Sequence, residues 1–219
     1  MKLVKALFVL ICVALAGCDW LTSLTDNMRI KEVRVYDSSD ELISQHEHEY
    51  DSDGLPARIS RYDQAGDLNN YTTYVYDTDG VVIEARRFDA SGNLQKSFEH
   101  SYDASGDLAV VRISDSAGEL LSRYELQYSA GQRVRTNWYD GAGNPTRYGL
   151  HTYDEQQNQT RIDIYDMSDQ LLRYRKFSYD TDGKLTRLLF YNSLDELQLY
   201  YVYEYESGRT FPTLQHGID

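Results

Sequence analysis

The side chains in this sequence best placed to do chemistry are two histidines two positions apart, His46 and His48. In an extended strand an i, i+2 pair points to the same side about 6–7 Å apart, which suits zinc or copper, while Glu47 and Glu49 point to the other side. The competing reading is packing in an aromatic column. His48, His100 and His151 fall in one such column, but alternate long strands hold them roughly 19 Å apart in an uncurled sheet, too far to share an ion. The segments Asp51-Ser52-Asp53-Gly54, Asp77-Thr78-Asp79-Gly80 and Asp180-Thr181-Asp182-Gly183 open like calcium loops. They lack the third acidic position and the distal glutamate of an EF-hand, and Asp with Gly is also what a hairpin turn requires. No nucleophile motif, nucleotide loop or zincin signature is present. The remaining carboxylates are accounted for by turns and exposed strand positions. The expectation is a protein with no catalytic residues and no cofactor.

What positions these side chains is a repeat. Tyr-Asp, or a close variant, recurs with first residues Tyr36, Tyr50, Tyr62, Tyr76, Phe88, Tyr102, Ser114, Tyr128, Tyr139, Tyr153, Tyr165, Tyr179, Tyr191 and Tyr205. The steps alternate 14 and 12 residues, a 26-residue unit broken by one 11-residue step from Tyr128 to Tyr139. Each marker opens a turn, as in Asp63-Gln64-Ala65-Gly66-Asp67, where Asp bonds the backbone two residues on and Gly supplies positive φ. Six residues past the marker an aliphatic follows, as in Leu42, Leu68, Val82, Leu94, Leu108 and Leu185. Tyrosine and aliphatic then oppose each other on paired strands, which fixes the register.

Between turns the chain reads as strand, alternately long (Leu68–Tyr76) and short (Val82–Phe88), and no window has a helical period. The fold class is therefore all-β: one continuous antiparallel meander of about 14 short strands. A flat sheet of that size would extend roughly 65 Å, so twist is expected to curl or spiral it. Strand parity assigns His48, Tyr74, His100, Leu126, His151, Phe177 and Tyr203 to the face that holds the marker tyrosines and their leucines. It assigns Ile59, Ile83, Val111, Ile113, Val134, Ile162, Leu188 and Phe190 to the opposite face. Twenty tyrosines against six phenylalanines suit half-buried strands in which the ring packs and the hydroxyl stays wet.

Tyr-Asp-x-x-Gly-x-Leu, as in Tyr62-Asp63-Gln64-Ala65-Gly66-Asp67-Leu68 and Tyr179-Asp180-Thr181-Asp182-Gly183-Lys184-Leu185, resembles the YD repeat of RHS and teneurin-type proteins. The resemblance spans roughly residues 30–208 and implies a single winding β-sheet. Large members of that family build a shell around a toxin; this chain has too few repeats to enclose a cargo, and only the repeat architecture is carried over. MORN repeats, also hairpin arrays, are a weaker resemblance, since their glycine and tryptophan spacing is missing.

The N-terminus has its own pattern. Lys2 and Lys5 precede an uncharged stretch, Ala6 to Ala16, too short for an ordinary membrane span. It ends in Leu15-Ala16-Gly17-Cys18, which resembles the lipobox of bacterial lipoproteins and implies acylation of Cys18. Residues 1–17 are then a cleaved signal, 18–29 a lipidated tether, 30–208 the repeat domain and 209–219 a tail that covers the last strand. Cys12 leaves with the signal, so the mature domain has no free thiol or disulfide. Asp19 resembles the inner-membrane retention signal of enterobacterial lipoproteins, against the alternative of the outer membrane.

The net charge is −13, and loss of Lys2 and Lys5 takes it to −15. Such a surface repels nucleic acid and anionic headgroups, so the membrane is met through the lipid alone. Three function classes remain for an envelope lipoprotein. The favoured one is a non-catalytic interaction or scaffold module that offers tyrosines and an exposed edge strand to an envelope protein. The others are a carbohydrate or peptidoglycan binder and an immunity-type lipoprotein whose acidity matches a basic toxin.

Overall fold

The computed structural model describes residues 28–207. The leader 1–17, Cys18, Asp19, the tether's Trp20 and the tail 209–219 lie outside the described residues. The regular structure is fourteen strands: β1 (Met28–Asp37), β2 (Leu42–Tyr50), β3 (Pro56–Asp63), β4 (Leu68–Tyr76), β5 (Val82–Asp89), β6 (Leu94–Tyr102), β7 (Leu108–Asp115), β8 (Leu120–Ser129), β9 (Gln132–Asp140), β10 (Pro145–Tyr153), β11 (Gln159–Asp166), β12 (Leu171–Tyr179), β13 (Leu185–Asn192) and β14 (Leu197–Ser207). Each pairs antiparallel with its sequence neighbours, so the meander is as the repeat requires.

The turns show why Asp follows the marker. At Asp63 the backbone N–H donates to Asp67 O at 3.0 Å, and Gly66 N–H donates to Asp63 O at 3.1 Å. Asp63 Oδ1 accepts from Ala65 N and Asp67 N at 2.9 and 3.0 Å, which satisfies amides the turn leaves unpaired. Gly66 has φ +85°, a conformation that costs an L side chain about 1–2 kcal/mol. Asp40, Gln157, Asp169 and Asp195 take the same backbone position without being glycine. The calcium-like loops are this turn: Asp51 Oδ1 accepts from Asp53 N and Leu55 N, both at 2.9 Å. The 11-residue step becomes a two-residue turn between Ser129 and Gln132, with Ala130 and Gly131 both at positive φ.

The expected register holds, with Tyr36 opposite Leu42, Tyr62 opposite Leu68 and Tyr102 opposite Leu108. The expected division of faces does not. Every hairpin contains a bulge beside the marker: Tyr50 pairs with Pro56 but Glu49 with Arg58, leaving Ala57 extra. One extra residue inverts the parity carried across a turn. Ile59, Val111, Ile162 and Leu188 therefore sit directly opposite His48, His100, His151 and Phe177 on the same face, and Ile113 and Phe190 join them opposite Phe98 and Arg175. Ile83 and Val134 are the extra residues at their own bulges and are exposed. The bulges also split the markers: Tyr50, Tyr76 and Tyr102 share parity with the histidine column, whereas Tyr36, Tyr62 and Phe88 face the other way.

The sheet is closed and has no free edge, in place of the curled or spiralled open sheet expected. β1 pairs with β14 from Met28↔Ser207 to Asp37↔Leu199. The register supplies the cause. Following the ladder from His48 to Ile59 to Thr72 arrives two residues before Tyr74, the repeat equivalent of His48. Each hairpin thus steps along the barrel axis while twist turns it, and seven repeats complete the circuit. At this strand number the backbone cylinder is about 25 Å across.

One face of every strand now lines an interior. Ile162, Ile164, Leu185, Leu188, Val33 and Val35 are buried in one apolar cluster, and Ala85, Phe98, Leu108, Val111 and Leu126 in another. With no disulfide among the described residues, these clusters and the closed hydrogen-bond ladder hold the fold.

Candidate functional site

Repeat equivalence sorts the inward side chains into layers. One end closes on Ile30, Pro56, Val82, Leu108, Arg133, Gln159 and Leu185, all buried. Seven tyrosine hydroxyls clasp this end, each donating to a carbonyl twenty residues earlier. Tyr50 reaches Ile30 O (2.8 Å), Tyr76 Pro56 O (2.6 Å), Tyr102 Val82 O (2.6 Å), Tyr128 Leu108 O (3.1 Å), Tyr153 Arg133 O (2.9 Å), Tyr179 Gln159 O (2.8 Å) and Tyr205 Leu185 O (3.0 Å). These hydroxyls were expected to stay in water; they close the strand starts instead. Burial raises the pKa of Tyr50 and Tyr76 well above the ordinary tyrosine range.

Above that end lies the column His48, Tyr74, His100, Leu126, His151, Phe177 and Tyr203. His151 is anchored, its Nε2 3.0 Å from Thr136 Oγ1 and its Nδ1 3.3 Å from Gln159 Oε1. His46 and His48 share the lumen face as expected, and Glu47 and Glu49 are exposed outside. His46 packs edge-on to Tyr201, ring centroids 6.0 Å apart. Burial, then Arg61, His48 and Arg87, lower the pKa of His46 to about 3; burial lowers that of His48 to about 4. Burial first and then Arg133 hold that of His151 at about 3. The imidazoles are neutral at pH 7. Among the described residues no group of three or more His, Cys, Asp or Glu is placed to hold a metal, and Arg61 and Arg87 oppose a cation beside His46.

The two layers nearest the other end, the turn end, rimmed by the turns that open at Asp37, Asp63, Asp89, Asp115, Asp140 and Asp166, are different in kind. They contain Arg61 on β3, Arg87 on β5, Lys96 on β6, Arg147 on β10 and Arg173 on β12. Inward carboxylates among the described residues are confined to the rim, where Asp166 is paired across the ladder with Arg147 and Asp115 with Lys96; below it no inward position is Asp or Glu. Arg87 lies over the Phe98 ring (5.6 Å) and Arg147 over Trp138 (5.1 Å). Burial, then Arg61, lowers the pKa of Arg87; burial, then Arg173, lowers that of Arg147. Gly149 leaves room for this wall, since a Cβ there would meet the Trp138 ring at 3.0 Å.

The exterior is built from ladders of arginine and aromatic rings. Arg58 covers Tyr71 (3.9 Å), which stacks on Phe88 (5.1 Å). The same triple recurs as Arg135–Tyr148–Tyr165, Arg161–Tyr174–Tyr191 and Arg187–Tyr200–Tyr36. The arginines are themselves held, Arg161 by Asp163 at 2.6 Å and Arg135 Nε by Asn137 at 2.7 Å. Tyr148 and Tyr200 hydroxyls donate to Asp169 and Asp40 at 2.6 and 2.7 Å. Charged side chains at mid-strand, such as Glu47, Glu99, Arg112 and Lys176, are exposed, and burying such an arginine or lysine at a bilayer midplane costs about 2–4 kcal/mol. This exterior suits water.

The sequence reading missed both the lumen arginines and the ladders. The signal was present: aligned on the 26-residue unit, Arg61 and Arg87 are equivalent, as are Arg147 and Arg173, and so are Tyr71, Tyr148, Tyr174 and Tyr200.

No protein-family model and no curated protein matches the chain. Among solved structures, it is similar to a porin-like protein from Bacteroides vulgatus (11% identity, TM-score 0.49) and to one from Bacteroides uniformis (12% identity, TM-score 0.46). Each likeness covers 81% of this chain and 98% of the other. It is also similar to part of the Photorhabdus luminescens Tc holotoxin pore (14% identity, TM-score 0.25), covering 72% of this chain and 12% of that one.

Proposed function

We propose that this protein is a lipid-anchored, non-catalytic interaction module of the bacterial cell envelope. Cys18 supplies the anchor and the exterior ladders supply the contact surface for an envelope protein. The observation that carries the reading is the exterior itself: aromatic rings pre-ordered by stacking and by arginine, repeated on four of the seven repeat units. Rings already fixed lose little conformational freedom on binding, and Tyr and Arg are the residues that concentrate binding energy. Contact comes from the ladders, because closure removes the edge strand that strand addition would need. Sugar stacking fits less well, since arginine covers one face of each middle ring and a second aromatic the other. The net charge of −13 favours a partner with a basic surface.

The test has two arms in the native bacterium. Radiolabelled palmitate should label the wild-type protein, and Cys18→Ser should lose the label and release the domain from membranes. A photo-crosslinking residue at Tyr165 should capture one discrete envelope protein that the same residue at Glu99, exposed between Glu84 and Arg112 and outside the ladders, does not. An unlabelled wild type would overturn the anchor, and equal capture at both positions would overturn the ladder surface.

A further inference from the structure

We propose that the turn-end half of the lumen binds an organic oxyanion, a carboxylate or phosphate ester carried on an aromatic or aliphatic body. This is independent of the exterior reading. Arg61 and Arg87, on β3 and β5, lie seven strands from Arg147 and Arg173, on β10 and β12, so the two pairs face each other across a fourteen-stranded barrel.

Guanidinium groups partly withdrawn from water, as these four half-buried ones are, cost free energy unless a counter-charge meets them. Here none does: among the described residues no carboxylate forms an ion pair with any of these four arginines. Arg87 Nε and Arg147 Nε are buried without a hydrogen-bond partner among the described residues. The nearest inward acids are the rim aspartates, Asp166 directly across the ladder from Arg147 among them, and their Oδ1 atoms accept from turn amides, as at Asp89 with Ser91 N and Asn93 N at 2.9 Å and Asp166 with Ser168 N and Gln170 N at 2.8 and 2.9 Å. Below that rim no inward carboxylate meets these guanidinium groups, which leaves a counter-charge to come from outside. Arginine forks match planar and tetrahedral oxyanions, and the Phe98 and Trp138 rings beneath two of them give the rest of the ligand an apolar wall.

The test is calorimetric titration of the mature full chain, in detergent and with Trp20→Phe, using phenyl phosphate, benzoate and inorganic phosphate. Phenyl phosphate or benzoate should saturate and change Trp138 fluorescence; whichever binds more tightly identifies the phosphate ester or the carboxylate as the natural head. Inorganic phosphate, lacking the body, should bind about tenfold more weakly or worse. Arg87→Met and Arg147→Met should each weaken binding about tenfold or more without lowering the unliganded melting temperature. Lys96→Gln, at the exposed rim, gives a milder loss and guards against misfolding of the buried variants. The proposal is overturned if neither organic probe saturates, if the methionine variants bind as wild type, or if they melt earlier, as structural arginines would.

Discussion

Acid should weaken this barrel well before its carboxylates titrate, and the lumen histidines set the size of the effect. In the unfolded chain each histidine takes up a proton as pH falls through about 6.5. In the barrel His46, His48 and His151 resist protonation until about 3, 4 and 3. Protons therefore bind the unfolded state preferentially, so stability is full above pH 6.5 and falls below it. At pH 5 the unfolded form gains about 2 kcal/mol per histidine, or about 6 kcal/mol for the three. That magnitude depends little on the native values, because pH 5 lies above all of them. Most domains have about 5–15 kcal/mol in hand, so the loss is a large share. Urea unfolding followed by circular dichroism should show the midpoint dropping about 2–3 M between pH 7.5 and 5. A variant with all three histidines changed to glutamine should lose most of that dependence. A wild-type midpoint that is flat over this range, or a triple variant with an unchanged slope, would refute the reasoning.

Further outcomes follow from single residues. Tyr102→Phe should cost about 1 kcal/mol in urea unfolding, the net value of its hydrogen bond to Val82 O. Because Tyr50 and Tyr76 resist ionisation when folded, stability should also fall as pH rises above about 10, the unfolded tyrosine value, seen as a shrinking urea midpoint. Gly66→Ala meets no atom within 4 Å yet should destabilise by about 1–2 kcal/mol through its φ of +85°, while Gln157→Gly, at φ +67° in the equivalent turn position, should stabilise by up to about 1 kcal/mol. Gly149→Ala should cost about 1–3 kcal/mol and shift Trp138 emission, since its Cβ would lie 3.0 Å from the indole and 3.4 Å from Ile162.

Much of the fold was legible because the code is local. Asp63 and Gly66 prescribe a turn, and Tyr62 opposite Leu68 prescribes its register, so the strands and their antiparallel order could be read from one repeat. Closure could not, because it depends on rotation summed over seven hairpins, a quantity no single motif encodes. The faces were misread for a smaller reason. A bulge residue such as Ala57 or Ile83 looks like any strand residue, yet it inverts the parity of all that follows and sends Ile59 to the side of His48. The arginine lumen shared that fate: once Arg61 and Arg87 are placed by strand parity alone, they merge with the surface charges of neighbours such as Arg58 and Arg86.

Inside and outside, and hence the lumen and the ladders, exist only if β1 and β14 are joined. Cysteines replacing Arg34 and Val202, directly paired in the ladder, test this in the mature chain with Cys18→Ser. Opposed residues in an antiparallel pair have Cα atoms about 4.5–5.5 Å apart, within the span of a disulfide. Mild oxidation should give one intramolecular bond in a monomer, visible as faster migration on a non-reducing gel and as a linked peptide pair by mass spectrometry. Recovery of free thiols, or of disulfide-linked dimers from exposed edges, would contradict the barrel.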